Sequence, residues 1–219
     1  MFLQRFLFLF LLTICSAAAN TIIVVGADNN LGETIYMREN GTNTSAYAGG
    51  IDVKVDGYAR VLFCVDLFTD ISTGTYNTAL DFADTANLKR VAWLLNNYYP
   101  TNAITGAGLQ LAIWDIMSDN GDGFTSGLVR KSTSTTNPTN ATVLADAMNY
   151  EAASVGKSST AAIVYQNVTI SGGTAVQTLI GLWPNDGGPI AETPEPAAIV
   201  MILSGLALIG LSRFRRGRR

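Results

Sequence analysis

Two side chains in this 219-residue sequence can react with one another. One is Cys64, in the stretch LFCVDLF (62–68). The other is Gln110, in GAGLQLAIWDIM (106–117). A cysteine thiolate attacks a carboxamide carbon, ammonia leaves, and a thioester joins the two positions. The step requires proximity, a dry site and groups that move protons. In principle it requires no histidine, and the chain contains none. That absence removes Ser-His-Asp and Cys-His catalysis, and His-based metal sites with them. Gln110 also has an ordinary explanation. On a helix it shares a face with Ile113, Trp114 and Met117, at spacings of three and four, and that face is expected to be buried. A buried amide without a partner costs about 1–3 kcal/mol, so Gln110 either caps a strand edge, bonds buried backbone, or reacts.

The elements that must position these residues follow from hydrophobic period and turn chemistry. Thr21–Val25 and Glu33–Met37 read as short strands. Ile51–Val55 alternates apolar and polar residues, and Tyr58–Asp66 follows as its hairpin partner across Asp56-Gly57. Cys64 lies near the end of that second strand. Thr69–Asp81, rich in Thr, Ser and Gly, reads as a loop. The period then becomes helical over Asp84–Tyr98, capped by Asp84 or Thr85, with a stripe at Val91, Leu94, Leu95 and Tyr98. A second helix is expected over Ala107–Met117. A third opens at Asn137-Pro138, with Pro138 at its first position, and runs to about Ala153. Thr160–Thr169 and Thr174–Trp183 form a closing hairpin around Ser171-Gly172-Gly173. The expected class is α+β: a mainly-β, sandwich- or barrel-like domain with a helical insertion of two to three helices.

Both ends carry targeting signals. Residues 1–19 have an early Arg5, an apolar run at Phe6–Ile14 and small residues at Ser16–Ala19, the layout of a secretory signal peptide cleaved before Asn20. An uncleaved anchor is the alternative. Cleavage removes Cys15 and leaves Cys64 alone in an oxidising compartment, where a free thiol is a liability unless buried or used. At the other end stand Thr193-Pro194-Glu195-Pro196, an apolar run over 197–212, and Arg213, Arg215, Arg216, Arg218 and Arg219. The arginines hold the tail on the cytoplasmic side, so the domain faces outward. This order closely resembles the PEP-CTERM sorting signal of exported bacterial proteins. The resemblance implies a Gram-negative bacterium and a transient inner-membrane anchor. It also implies an exosortase that cleaves near Pro194-Glu195-Pro196, and release to the cell surface or an exopolysaccharide matrix. The expected organisation is signal peptide 1–19, extracellular domain 20–184, linker 185–192 and sorting signal 193–219.

Most of the basic charge leaves with that tail. The eight basic residues of the domain (Arg38, Lys54, Arg60, Lys89, Arg90, Arg130, Lys131, Lys157) are outnumbered by Asp and Glu, a poor basis for binding nucleic acid.

The reactive pair carries a second resemblance. Phe63-Cys64-Val65-Asp66 and Gln110-Leu111-Ala112-Ile113-Trp114 resemble the paired motifs of bacterial thioester domains, known from Gram-positive adhesins. One position departs: Leu109 stands where those domains have threonine. The resemblance implies an internal Cys64–Gln110 thioester that a partner's lysine amine or polysaccharide hydroxyl attacks. One bond is made per molecule, so the protein is expected not to be an enzyme, and no cofactor is implied. Asp66 and Asp115 are candidates for proton handling or are exposed polar residues. Trp93 and Trp114 are expected to wall the bond off from water, with Ala112 beside Trp114 in the motif. Two other readings stand beside this one. The chain is a non-covalent structural protein of the matrix with a buried Cys64 thiol, or, most weakly, a cysteine-dependent enzyme without a histidine base. Ser118–Gly123 departs from an EF-hand calcium loop, with Gly121 at position three and Arg130 at position twelve, and reads as a turn closing the helix.

Overall fold

Two tight turns set the sheet. β1 (Asn20–Glu39) and β2 (Thr42–Val55) are joined through Asn40-Gly41, and β2 and β3 (Tyr58–Cys64) through Asp56-Gly57. Both central residues of each turn have positive φ (44° and 84°, 48° and 88°), the geometry whose twist matches antiparallel strands. The computed structural model describes residues 20–170 and 173–182. The signal peptide, the linker and the apolar sorting segment expected at 197–212 lie outside the described residues, as do Ser171 and Gly172. No helix among the described residues is long and apolar enough to cross a membrane.

All pairings are antiparallel. β4 (Gly74–Phe82), β6 (Ala162–Thr169) and β7 (Leu179–Leu182) complete the order β2-β3-β7-β6-β4-β1. Because β1 also pairs with β2, these six strands close into a barrel, and the short β5 (Val129–Lys131) adds to the far end of β1. Between β4 and β6 the chain forms α1 (Ala86–Asn97), α2 (Ala103–Asp119), β5 and α3 (Ala141–Ser154). The expected mainly-β class with a helical insertion is the one observed.

Several boundaries differ from the sequence reading, each for a tertiary reason. The two short strands at the N-terminus are one 20-residue strand, interrupted by a register shift between Ala27 and Gly32. The loop expected at Thr69–Asp81 contains β4, whose residues pair with β1 on one side and β6 on the other. Third comes the last helix, which begins at Ala141 rather than at Pro138, because the Asn140 side chain accepts from the Thr142 N–H (3.0 Å) and caps it there. The first helix starts as read, with Thr85 accepting from Leu88 N–H.

α2 is buried on all sides. Every residue from Gly106 to Ile116 is inaccessible to solvent, so the helix has no exposed face to contrast with the stripe containing Gln110. Such a helix belongs in a protein interior, and α2 lies against α3, β1 and β2. Asn102 and Thr105 cap it reciprocally. Two glycines allow the close approach. A Cβ on Gly106 would sit 2.0 Å from Leu31 O, in the shifted part of β1, and one on Gly108 would sit 2.7 Å from Asp146 Cβ on α3. Two apolar clusters result. One fills the barrel with Ile22, Val24, Val53, Leu62, Cys64 and Leu179, joined by Ala112 and Trp114 from α2. The other packs Val91, Leu94, Leu109 and Ile113 against Phe63, Val65 and Ile180.

Candidate functional site

The Cys64–Gln110 pair meets where β2 and β3 part. The β2–β3 ladder ends at Ile51↔Leu62. Two residues further Gly49 would face Cys64, but the ladder stops short of it, and Gly49 keeps only its partner on the other edge of β2, Gly32 of β1. In an antiparallel strand the backbone groups of alternate residues point to the same edge. Val65 N–H, like Phe63, serves the β7 side, bonding Thr178 O at 3.1 Å. Cys64 N–H and C=O therefore face the edge that β2 has left. The Gln110 amide takes the place of the missing strand. Its Oε1 accepts from Cys64 N–H at 2.9 Å, and its Nε2 donates to Cys64 O at 2.7 Å. Gln110 is 0 % exposed and Cys64 5 %. The ordinary explanation for Gln110 is the one observed: the amide caps a strand edge, and the residue it caps is Cys64.

The surroundings hold the thiol neutral. Burial first, then the carboxylates of Asp66 and Asp70, push its pKa up to about 12. Tyr47 stands near, its hydroxyl close to Asp28 O (2.6 Å) and Gly50 O (3.1 Å), and burial foremost raises it well above the usual tyrosine range. Asp66 is committed to the turn after β3, accepting from Phe68 N–H (2.9 Å) and from Thr69 Oγ1. Its backbone oxygen accepts from Gln177 Nε2 at 2.8 Å, and Gln177 O from Asn167 Nδ2 at 2.9 Å. Gln177, Asn167, Tyr47 and Gly106 support the site, but none carries a sequence signal of doing so, because each acts through a long-range backbone contact.

The other expected site residues divide. Ala112 and Trp114 share the barrel cluster with Cys64. Trp93 does not. It lies half-buried on the other cluster, edge-on to Tyr98 at 5.9 Å with Lys157 Nζ 5.8 Å from its ring centre. Asp115 is neither exposed nor beside the thiol. It is 0 % exposed and about 140° around the helix from Gln110, where it accepts from Gly123 N–H (3.1 Å) and meets Glu151 of α3. Burial raises both acids, and each affects the other. Leu109, the departure from the thioester motif, packs in the second cluster, away from the one that holds Cys64.

An open cleft of about 580 Å³ begins one residue beyond Cys64, with Val65, Asp66, Phe68, Met117, Gln166 and Thr178 among its walls. Neither Cys64 nor Gln110 lines it.

Comparison with known families agrees with both ends of this description. The model for the thioester domain matches residues 61–154, and that for the PEP-CTERM protein-sorting motif matches residues 192–219. The first runs from β3 to the end of α3 and contains both Cys64 and Gln110. The strands β1, β2, β6 and β7 that close the barrel lie outside it, apart from the overlap at β3. No curated protein and no solved structure matches the chain. Together the two matches point to an exported surface protein with a capacity for covalent attachment, held in the membrane transiently and processed by an exosortase.

Proposed function

We propose that Cys64 and Gln110 condense to an internal thioester, and that the exported protein uses it once to bind covalently to a surface or matrix partner. The observation that carries this reading is the pair of hydrogen bonds fixing the Gln110 amide on the backbone of Cys64 inside a dry core. In the forming step the Cys64 sulfur bonds to Gln110 Cδ. The Cδ–Nε2 bond breaks, and the thiol proton leaves with the nitrogen as ammonia. Cys64 N–H donates to Oε1 and stabilises the negative charge that gathers on that oxygen. The Nε2 bond to Cys64 O is given up with the leaving group.

In the capture step a lysine amine or polysaccharide hydroxyl attacks the same carbon. The thiolate leaves, takes up the nucleophile's proton, and Gln110 ends as an amide or ester of the partner. A thiolate is a better leaving group than an amide nitrogen. The chemistry is stoichiometric, so the protein acts as an attachment device and not as an enzyme. The open cleft has Val65 and Asp66, the two residues after Cys64, among its walls, and we take it as the side from which a nucleophile approaches. The sorting motif fits attachment at the surface or in the extracellular matrix of a Gram-negative bacterium.

One observation favours a second reading. Both polar atoms of the Gln110 amide are hydrogen-bonded and the thiol is held neutral, which suffices for a non-covalent structural matrix protein. The intact mass of the purified protein before and after methylamine separates the two. A mass short by one ammonia, then raised by one methylamine, with both effects absent in Cys64→Ala, supports the thioester. A full mass with one alkylatable thiol ends it.

A further inference from the structure

One hydrogen-bond donor beside the reactive pair is left without an acceptor. Trp114 follows Gln110 by four residues on α2, about one helical turn, so the two side chains share a face with Cβ atoms about 5–6 Å apart. Long side chains on a helix lean toward its N-terminus, over the residue one turn earlier. Trp114 therefore leans toward the Gln110 carboxamide, and its ring packs in the apolar cluster that contains Cys64. It is 3 % exposed. Its Nε1 is inaccessible to solvent and has no acceptor within hydrogen-bond reach. Among the described residues it is the one buried donor in that state, since the other unpaired buried atoms, on Asp115, Glu151 and Asn167, are oxygens.

A buried indole N–H has given up its bond to water and normally finds a partner inside the protein. The reaction supplies one. In the amide form both ends of the Gln110 carboxamide are tied to the strand edge: Oε1 accepts from Cys64 N–H (2.9 Å) and Nε2 donates to Cys64 O (2.7 Å). When Cys64 Sγ bonds to Cδ, Nε2 departs with the thiol proton as ammonia, and the second tie goes with it. Cδ is drawn toward the sulfur. Oε1 keeps a lone pair beyond the one that Cys64 N–H uses, and it is the oxygen on which negative charge gathers.

We propose that the Trp114 indole N–H is the second donor to Gln110 Oε1, beside Cys64 N–H, in the tetrahedral intermediates and in the thioester itself. The inference rests on the thioester reading and gives Trp114 a part in both of its steps. Charge gathers on the same oxygen when sulfur adds to Cδ and again when an incoming amine adds to Cδ. The C–S bond then breaks and the sulfur takes up the proton of the amine. Two N–H groups, one from the backbone of β3 and one from a side chain on α2, hold that oxygen in a dry core, where such bonds count most. Ile113 and Met117, on the same helical face, carry no side-chain N–H that could replace it.

The test is the rate at which methylamine opens the thioester, followed by intact mass, in the wild type and in Trp114→Phe. The variant keeps an aromatic ring and loses the N–H. Removing one donor of this kind costs about 10²–10³ in rate, so the variant opens more slowly by that factor. A role for Trp114 as a wall alone predicts the reverse, because a smaller ring admits more water and amine. Equal or faster opening in Trp114→Phe, from a wild type that does carry the thioester, overturns this inference alone. A wild type whose mass shows no loss of ammonia overturns it together with the thioester reading. A second readout needs no Trp114 variant. In protein labelled with nitrogen-15 tryptophan, the Trp114 indole resonance is assigned by elimination through Trp93→Phe and Trp183→Phe. Its proton lies further downfield in the thioester form than in Cys64→Ala, where Gln110 keeps its amide. Identical indole shifts in those two proteins overturn the proposal.

Discussion

The Gln110 amide serves the backbone of residue 64, whatever side chain that residue carries, and this makes its structural contribution separable from its chemistry. In Cys64→Ala no thioester can form, yet Cys64's former N–H and C=O still require Gln110. Adding Gln110→Ala to that variant leaves both groups buried and unpaired, since the β2–β3 ladder ends at Leu62 and supplies no partner at residue 64. An orphaned buried group costs about 1–3 kcal/mol, so the pair costs about 2–6 kcal/mol. For a domain of this size that is a fall in Tm of roughly 5–20 °C. The assay is thermal and urea denaturation of Cys64→Ala against Cys64→Ala/Gln110→Ala, followed by circular dichroism. A difference below about 1 kcal/mol would refute the reasoning, because it would mean that water or a neighbouring strand already serves the Cys64 edge. The comparison contains no reactive thiol, so its result is independent of whether a thioester exists.

Three more predictions concern the same region. If the thioester forms, it closes a loop of 46 residues, and the wild type is more stable than Cys64→Ala by up to about 4 kcal/mol; methylamine treatment should abolish that difference, and equal urea midpoints beforehand would count against the cross-link. Gly106→Ala drives a methyl group into Leu31 O, so it should destabilise by about 1–3 kcal/mol and slow thioester formation by shifting α2 relative to β3, measured as the rate of ammonia loss; wild-type stability would show that α2 can move freely there. After methylamine opens the thioester, the native thiol should react with iodoacetamide at pH 8 about a thousandfold more slowly than in urea, because burial raises its pKa from 9.0 to about 12. The same shift has a sign in stability. The unfolded thiol ionises above pH 9 while the folded one does not, so this group leaves stability unchanged below pH 9 and lowers it as pH rises toward 12, by up to about 4 kcal/mol; equal alkylation rates in the native and unfolded states would refute the burial argument.

Local sequence was enough for whatever depends on local chemistry. Asp56-Gly57 specifies a hairpin because few other dipeptides accept two positive φ angles. Thr85 starts α1 because its hydroxyl reaches Leu88 N–H. The order of prolines, apolar run and arginines at the C-terminus is a pattern of residue types, and the family match at 192–219 rests on the same residues. Cys64 and Gln110 could be singled out because their functional groups and flanking residues are distinctive wherever they lie. What the sequence could not reveal depends on partners distant along the chain. Thr69–Asp81 looks like a loop until β1 and β6 flank its second half. Asp115 looks exposed until α3 covers it. The placement of Gln110 is the clearest case. Its amide meets Cys64 because β2 leaves β3 after Leu62 and opens one edge of the barrel, and the register of strands distant in sequence decides where that opening falls.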